Sequence, residues 1–154
     1  MSLTLRSRAI RLPDLAATER LATALAGQAR PGDAILLEGP LGAGKTAFAR
    51  AFLRAAAGDP GLEVPSPTFT LVQEYGTALG PVHHFDLWRL AGPAALEELG
   101  WDEAREGIVL VEWPDRLGAL RPPEALTLTL APGETEHARA ATLAWADPRL
   151  DALA

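Results

Sequence analysis

Several residue types and patterns are missing from this chain of 154 residues, and each absence excludes a class of protein. The chain has no cysteine, which excludes disulfide bonds and thiolate metal sites. No apolar run approaches the roughly 18 residues that a membrane-spanning helix needs. The opening residues, MSLTLRSRAIRL, lack a long apolar core and a small-residue cleavage site, so they predict a strand rather than a signal peptide. We therefore expect a cytoplasmic protein that does not bind a membrane.

Positive charge is also scarce, because the net charge of the chain is -6. This balance does not favour direct, avid binding of nucleic acid. Among the basic residues, arginine fills every position except one, and Lys45 is the only lysine. A compact ammonium group, unlike a planar guanidinium, suits a loop that wraps closely around phosphate. The position of the only lysine therefore indicates a specific requirement for that side chain.

The distribution of apolar residues predicts an α/β protein with a mixed sheet. Short apolar runs between turn residues indicate strands, and a period near 3.6 residues indicates helices. The predicted strands are 3–11, 34–38, 68–75, 82–88, 108–113, 125–131 and 138–146, and the predicted helical segments are 14–29, 45–57 and 93–99. Strands and helices alternate early, whereas antiparallel strands cluster late. We expect the whole chain, residues 1–154, to form one domain.

Residues 39–46, GPLGAGKT, match the phosphate-binding pattern G-x-x-x-x-G-K-[ST]. Glycines such as Gly39 and Gly44 let the backbone approach phosphate oxygens, and successive N–H groups then form an anion-binding nest. Lys45 would reach the β- and γ-phosphates, and the Thr46 hydroxyl would bind Mg²⁺. The pattern lies between a buried strand and a helix. It therefore predicts a nucleotide-binding P-loop and a three-layer fold of the P-loop NTPase type, with a mainly parallel central sheet.

Two carboxylates could complete such a site. Glu112 follows four apolar residues, which places it at the carboxyl end of a buried strand, where ligands of open α/β sheets bind. We expect Glu112 to be the acidic residue that binds Mg²⁺. Asp86 shares one face of its strand with His84, so Asp86 could order the attacking water and His84 could support it. Ser66 and Thr68 lie in a proline-stiffened loop of the kind that senses a γ-phosphate.

The nucleotide is expected to be ATP, because the usual Asn-Lys-x-Asp guanine motif needs a second lysine. Three activities remain open: an ATPase that drives a partner, a kinase for a small molecule, and a module that binds nucleotide without turnover. Small-molecule kinases of this type usually carry an arginine-rich lid, whereas Arg116 and Arg121 are isolated here. The sequence therefore favours an ATPase, and the small-molecule kinase is the alternative.

Four motifs in order, LGAGKT, SPTFTLVQEY, HFDLWRL and LVEWPDRL, resemble the TsaE (YjeE) family over residues 12–139. The resemblance implies a small cytoplasmic P-loop protein with weak intrinsic ATPase activity. It also implies a partner, the TsaD–TsaB complex, which transfers threonylcarbamoyl to adenosine 37 of tRNA. The family member supports that complex and contacts tRNA only indirectly.

The resemblance also implies roles for individual residues. Lys45, Asp86 and Glu112 would serve catalysis, and Thr46 and Glu112 would hold Mg²⁺. The expected nucleotide contacts are Gly39, Gly42, Ala43, Gly44, Lys45, Thr46, Ala47, Thr68, Trp113, Arg139 and, near the base, Asp14. The chain departs from the family at Pro40, where Asp is usual, and at Trp88, where Tyr is usual. Neither residue supplies the fixed phosphate chemistry.

Overall fold

The computed structural model describes residues 5–67 and 70–153 of the chain. The strands are β1 Arg6–Leu12, β2 Ala34–Glu38, β3 Val72–Thr77, β4 Gly80–Asp86, β5 Ile108–Glu112, β6 Leu126–Pro132 and β7 Arg139–Trp145. The α-helices are α1 Leu15–Gln28, α2 Lys45–Ala57 and the short α3 Trp101–Ala104. Three 3₁₀ segments, Pro93–Leu99, Pro114–Leu120 and Pro148–Leu153, complete the described chain.

All seven strands form one sheet in the order β1-β7-β6-β2-β5-β4-β3. The four central strands β6, β2, β5 and β4 are parallel, and the outer strands pair antiparallel. The central strands β2 and β5 are almost continuous apolar runs, as expected for parallel strands covered on both faces. The predicted mixed, mainly parallel α/β fold with late antiparallel strands is confirmed.

The sheet separates two apolar layers, because successive side chains of a strand point to opposite faces. Ile35 and Leu37 of β2 pack in the core beneath α1 and α2. Ala34 and Leu36 pack on the other face, in a core that includes Trp101 of α3 and residues of two 3₁₀ segments. Helical segments on both faces of the sheet produce the predicted three layers.

Several predicted strand ends are wrong by a few residues, for local backbone reasons. Of the strand predicted at 68–75, residues 68 and 69 lie outside the described residues. In the described part the strand begins at Val72, because Leu71 has a positive φ of 67°. The strand predicted at 108–113 ends at Glu112, since Trp113 also has a left-handed φ of 58°. In contrast, β2 and α2 occupy the predicted residues 34–38 and 45–57.

The sheet register brings the acids predicted for the site to one edge. In the parallel pair of β4 and β5, Asp86 lies opposite Glu112. Leu37, near the end of β2, lies opposite Glu112 on the other side. The loop from β2 to α2 begins two residues later, so the P-loop and both acids share the carboxyl edge of the parallel strands.

Candidate nucleotide site

The P-loop connects β2 to α2 through three glycines with positive φ. Gly39 has φ 145°, Gly42 has φ 80° and Gly44 has φ 103°. A Cβ atom on Gly39 would overlap the backbone carbonyl oxygen of Leu130 in β6, so the loop packs directly on that strand. Gly44 precedes α2 and has no side chain to cap the helix. The first N–H groups of α2 therefore face the loop, where an anion can accept their hydrogen bonds.

The Lys45 ammonium lies inside this loop. Its Nζ donates to the carbonyl oxygen of Gly39 at 2.5 Å and lies 3.3 Å from the ring centroid of Trp113. The side chain is only 4% exposed. Burial lowers the pKa of Lys45, and the carboxylates of Glu112 and Asp86 oppose part of that change. The loop thus holds one desolvated positive charge at the position where the sequence pattern places phosphate.

Trp113 reaches Lys45 through an unusual backbone conformation. A left-handed φ costs a non-glycine residue roughly 1–2 kcal/mol. At Trp113, this conformation ends β5 and turns the indole toward the P-loop. Its ring also packs against Trp88, with 4.3 Å between the ring centroids. Contact between a cation and an indole face stabilises by about 0.5–2 kcal/mol, which offsets the backbone cost.

Thr46, Glu112 and His84 form a hydrogen-bonded group beside the loop. The Thr46 hydroxyl donates to Glu112, with 3.0 Å to Oε1 and 3.2 Å to Oε2. The His84 Nε2 lies 2.7 Å from Glu112 Oε2. Glu112 is only 3% exposed, and His84 is fully buried. The predicted pair Thr46 and Glu112 therefore lies together, whereas His84, expected to support Asp86, contacts Glu112 instead.

The donor set of this group fits magnesium. Thr46 and Glu112 offer a hydroxyl and a carboxylate, which are hard oxygen ligands, and Asp86 offers a second carboxylate nearby. In residues 5–67 and 70–153, no three acidic or histidine side chains cluster as a metal cage. Mg²⁺ typically takes one or two protein oxygens and completes its shell with phosphate and water, so Thr46 and Glu112 could hold it.

Asp86 is oriented by the backbone at the end of β4. It is 7% exposed, and its Oδ1 accepts a hydrogen bond from the Trp88 N–H at 3.1 Å. Its place opposite Glu112 puts both carboxylates on the α2 side of the sheet. Asp86 is therefore close enough to Lys45 to interact with it electrostatically. Its hydrogen-bond partner is the Trp88 N–H, whereas Glu112 accepts from the Thr46 hydroxyl.

Arg139 supports the loop from β7. Its Nε donates to the Ala43 carbonyl at 2.7 Å, and its Nη2 donates to the Gly42 carbonyl at 3.3 Å. A cleft of about 240 Å³ lies beside it, lined by Leu15, Thr18, Ala43, Gly44, Ala47, Leu130, His137 and Arg139. The cleft adjoins the start of α2, so it offers a partly apolar place for a nucleotide base.

The other predicted contacts have different surroundings. Asp14 caps α1, because its Oδ1 accepts a hydrogen bond from the Ala17 N–H at 2.8 Å. Its neighbour Leu15 lines the cleft, whereas Asp14 does not belong to the lining. Thr68 lies outside the described residues. The nucleotide contacts expected of Asp14 and Thr68 therefore stay predictions.

Two residues of the site were missed by sequence reasoning. Asp115 lines an open cleft of about 410 Å³ with Pro40 and Trp113, and its charge acts on Lys45. His137 lines the other cleft. Asp115 could have been suspected from its place two residues after Trp113. His137 gave no local signal, because only the pairing of β6 with β7 carries its loop to the cleft.

The fold and the loop together define a P-loop protein of the α/β class. A model of the family described as "Threonylcarbamoyl adenosine biosynthesis protein TsaE" matches residues 12–141. The chain therefore belongs to the TsaE family, whose members act in tRNA threonylcarbamoyladenosine biosynthesis. The resemblance seen in the four motifs is confirmed.

Individual relatives agree with this assignment. The chain is similar to the tRNA threonylcarbamoyladenosine biosynthesis proteins TsaE of Rickettsia felis and Bacillus subtilis. The Rickettsia protein is 40% identical over 114 residues, covering 73% of this chain and 66% of its own length, just under two thirds. The Bacillus protein is 38% identical over 117 residues, covering 73% and 70%.

A solved structure shares the fold. The crystal structure of Bacillus subtilis YdiB superimposes with a TM-score of 0.78 at 29% sequence identity, over 99% of this chain and 94% of that one. Within residues 5–67 and 70–153, no helix combines the length and the apolar character that crossing a membrane requires.

Proposed function

We propose that this chain is a Mg²⁺-dependent ATPase that supports the TsaD–TsaB complex during threonylcarbamoyl modification of adenosine 37 in tRNA. The observation that carries the proposal is the convergence of three groups at one edge of the sheet. These groups are the desolvated Lys45, the Thr46–Glu112 pair and the buried Asp86. Family membership supports the pathway and the partner.

The P-loop backbone and Lys45 bind the triphosphate. The N–H groups of the loop and of the first turn of α2 would donate to the β- and γ-phosphate oxygens, except that of Ala43, which donates to the Pro40 carbonyl at 3.1 Å, and the start of α2 adds its positive end. Lys45 exchanges its bond with the Gly39 carbonyl for a phosphate oxygen, where its charge compensates the growing negative charge of the leaving group. Arg139 keeps the Gly42–Ala43 segment in place while this happens.

Thr46 and Glu112 would hold a magnesium ion, which would supply positive charge that compensates the phosphate charge. Asp86 accepts a hydrogen bond from the attacking water and orients it toward the γ-phosphorus, from the strand next to Glu112. The Trp88 N–H donates to Oδ1 of Asp86 and orients the carboxylate next to Glu112.

The base occupies the cleft beside Arg139. Its partly apolar lining of Leu15, Ala47 and Leu130 stacks against a purine, and Thr18 and His137 offer polar contacts at the edge. A guanine reader of the Asn-Lys-x-Asp type would need a lysine beyond Lys45, so the nucleotide is ATP. We place the protein in the cytoplasm, where ATP and tRNA are found together.

Turnover in the absence of any acceptor tests the activity. Purified protein with ATP and Mg²⁺ should release ADP and phosphate slowly, and added TsaD–TsaB complex should change that rate. Pull-downs of TsaD–TsaB in the presence of ATP and of ADP test the partner. Phosphate transfer to a small metabolite would favour the kinase, and bound but uncleaved ATP in the presence of the complex would favour a sensor.

A further inference from the structure

His84 is a buried polar residue for which the proposed ATPase mechanism has no role. It lies in β4, two residues before Asp86, and its side chain is fully buried. Its Nε2 lies 2.7 Å from Glu112 Oε2. Burying an imidazole costs free energy unless hydrogen bonds compensate it, so the contact with Glu112 needs a physical account.

The surroundings of the two ring nitrogens of His84 determine which of them donates a hydrogen bond. His84 Nδ1 is buried and has no hydrogen-bond partner among the described residues. A proton on Nδ1 would therefore be buried without an acceptor, which costs roughly 1–3 kcal/mol. Because the Glu112 carboxylate is an acceptor only, Nε2 carries a proton and donates it to Oε2. His84 therefore donates a hydrogen bond to Glu112, the carboxylate that is expected to bind Mg²⁺.

The sheet makes this contact rigid. His84 lies opposite Leu110, and Glu112 is two residues further along β5, so the two side chains are diagonal neighbours on one face. Both strands are internal to the sheet and hydrogen-bonded on both sides. A glutamate at a strand end otherwise has several rotamers, and the His84 bond to Oε2 selects one of them. In that rotamer, Oε1 lies 3.0 Å from the Thr46 hydroxyl.

We propose that His84 is a positioning residue that holds Oε2 of Glu112, so that the carboxylate meets Mg²⁺ in a fixed orientation beside Thr46. This inference rests on the proposed function, because it needs a magnesium ion at Glu112. Hydrogen bonds to metal-ligating groups typically change metal affinity by about 10- to 100-fold. His84 therefore acts on the metal through Glu112, not on ATP directly.

Three variants of His84 separate positioning from packing. H84Q can place an amide N–H near the position of Nε2, H84N is too short to do so, and H84F fills the space without a donor. His83 is the matched control, because it precedes His84 in β4 and faces the opposite side of the sheet. It packs near Phe85 and lies 3.8 Å from Glu74.

The experiment measures ATP affinity by calorimetry in EDTA and in Mg²⁺, and Mn²⁺ binding to the protein–ATP complex by electron paramagnetic resonance. H84N and H84F should weaken metal binding about 10- to 100-fold. ATP affinity in EDTA should stay at the wild-type value. H84Q should recover most of the metal affinity, and H83Q should match wild type in every measurement. If H84F does not fold, the comparison of H84N with H84Q still decides.

The inference is overturned if H84N and H84F bind Mn²⁺ as wild type does. It is also overturned if they lose ATP affinity in EDTA, since His84 would then support the loop and not the metal acid. The proposed function has a separate failure: wild-type protein that binds no ATP, or whose ATP affinity does not respond to Mg²⁺.

Discussion

Lys45 is the only lysine of the chain, and its side chain is also removed from solvent. Its ammonium is desolvated, and the groups around it are a carbonyl, an indole face and three carboxylates that act at longer range. A guanidinium is larger and would project its planar fork beyond the space enclosed by the loop. Arginine therefore supplies the positive charge elsewhere in the chain, whereas lysine occupies the loop position, where the compact shape of its ammonium group is needed.

Replacement of Lys45 by alanine should abolish useful nucleotide binding. Removing a charged donor to phosphate costs about 1.5–3 kcal/mol per hydrogen bond, so ATP affinity should fall by about 100-fold in calorimetry. K45R should not restore it, because the fork does not fit. R50A, farther along α2, serves as the control for loss of a positive charge. ATP affinity close to wild type in K45A would remove Lys45 from the site.

Asp86 and Glu112 should fail in different ways, although they lie opposite each other in the sheet. D86N should bind ATP with Mg²⁺ normally and hydrolyse it about 100-fold more slowly, because a water-orienting base is lost.

E112Q should retain metal-free ATP binding and lose at least about 10-fold in Mg²⁺ affinity. Calorimetry with and without Mg²⁺, together with phosphate release, distinguishes the two. Identical defects would contradict the separate roles.

Individual site residues differ in how far the sequence could predict them. Lys45 and Thr46 follow from a contiguous pattern, and Glu112 follows from its place at the end of an apolar strand. The partner of His84 could not be predicted, because it depends on the register between two strands, and His84 and Glu112 lie 28 residues apart in sequence. The capping bond of Asp14 to the Ala17 N–H occupies one oxygen of the carboxylate expected near the base.

At the scale of elements, the P-loop depends on its contact with β6. The loop approaches the Leu130 carbonyl so closely that only glycine fits at position 39. β6 is parallel to β2 and directly beside it, although some ninety residues separate the two strands in sequence. The phosphate loop is therefore positioned by two contacts, one with the backbone of β6 and one with the side chain of Arg139 in β7.

Substitution of Gly39 by alanine should displace the loop. The added Cβ overlaps backbone, and φ 145° is unfavourable for an L-residue, so ATP affinity should fall by at least about 10-fold, with a stability loss of about 1–3 kcal/mol. Gly32 is the matched control, because it also has a positive φ, 96°, but open space around it. G32A should lose about 1 kcal/mol and bind ATP normally. Calorimetry and thermal unfolding test both.

The segment Pro148–Leu153 is fastened to the opposite end of the sheet by charge. Arg149 donates to both carboxylate oxygens of Asp33 at 2.8 and 2.9 Å. Asp147 accepts from the Arg149 N–H at 3.0 Å, and this bond, with the nearby guanidinium groups of Arg149 and Arg30, holds the pKa of Asp147 below its ordinary value of 3.8. The ionised form of Asp147 therefore stabilises the fold.

D147N should lower the melting temperature in a pH-dependent manner. A carboxyl whose folded pKa is depressed adds stability that is fully present above its unfolded pKa and is lost as the pH falls through the folded pKa. The difference in melting temperature between wild type and D147N should be constant from about pH 7 to 5 and should close below about pH 4. Thermal unfolding followed by circular dichroism measures it. A gap that does not begin to narrow as the pH falls below about 4 would contradict this account.

Elements with strong local signals were predictable, whereas their ends often were not. β2 and α2 lie where the apolar run and the helical period place them, since turn glycines bound both. The strand expected at 68–75 begins late, because the backbone turns at Leu71 and its N–H bonds to the Pro67 carbonyl. Alternation of apolar residues does not reveal such a left-handed residue.

At the scale of the whole molecule, the order of strands creates the site. Only the parallel centre brings the ends of β2, β4 and β5 to one edge, with β6 supporting the loop. The α/β class and the late antiparallel pair could be predicted from the order of elements. The position of β6 next to β2 could not, because local patterns do not encode which distant strands become neighbours.

Nucleotide should stabilise the entire domain by mass action. At an ATP·Mg²⁺ concentration about 100 times its dissociation constant, the gain is about 2.7 kcal/mol. For a chain of this size it should raise the melting temperature by roughly 5–10 °C. Scanning fluorimetry should show this shift for wild type and D86N, and a shift of only about 1–2 °C for K45A, whose ATP affinity is expected to be about 100-fold lower. An equal shift in K45A would place nucleotide binding elsewhere.

Because Lys45 is the only lysine, reagents that acylate lysine amines meet a single side-chain target, and it lies inside the phosphate loop. Its lowered pKa increases the share of neutral, nucleophilic amine, while its burial admits only small reagents or those delivered by a nucleotide. Surface acetylation, carbamylation and amine cross-linking, which decorate most proteins at many positions, therefore have no other lysine to modify here. One covalent adduct on Lys45, located by peptide mass because the α-amine also reacts, would report occupancy of the loop, and ATP should protect against it.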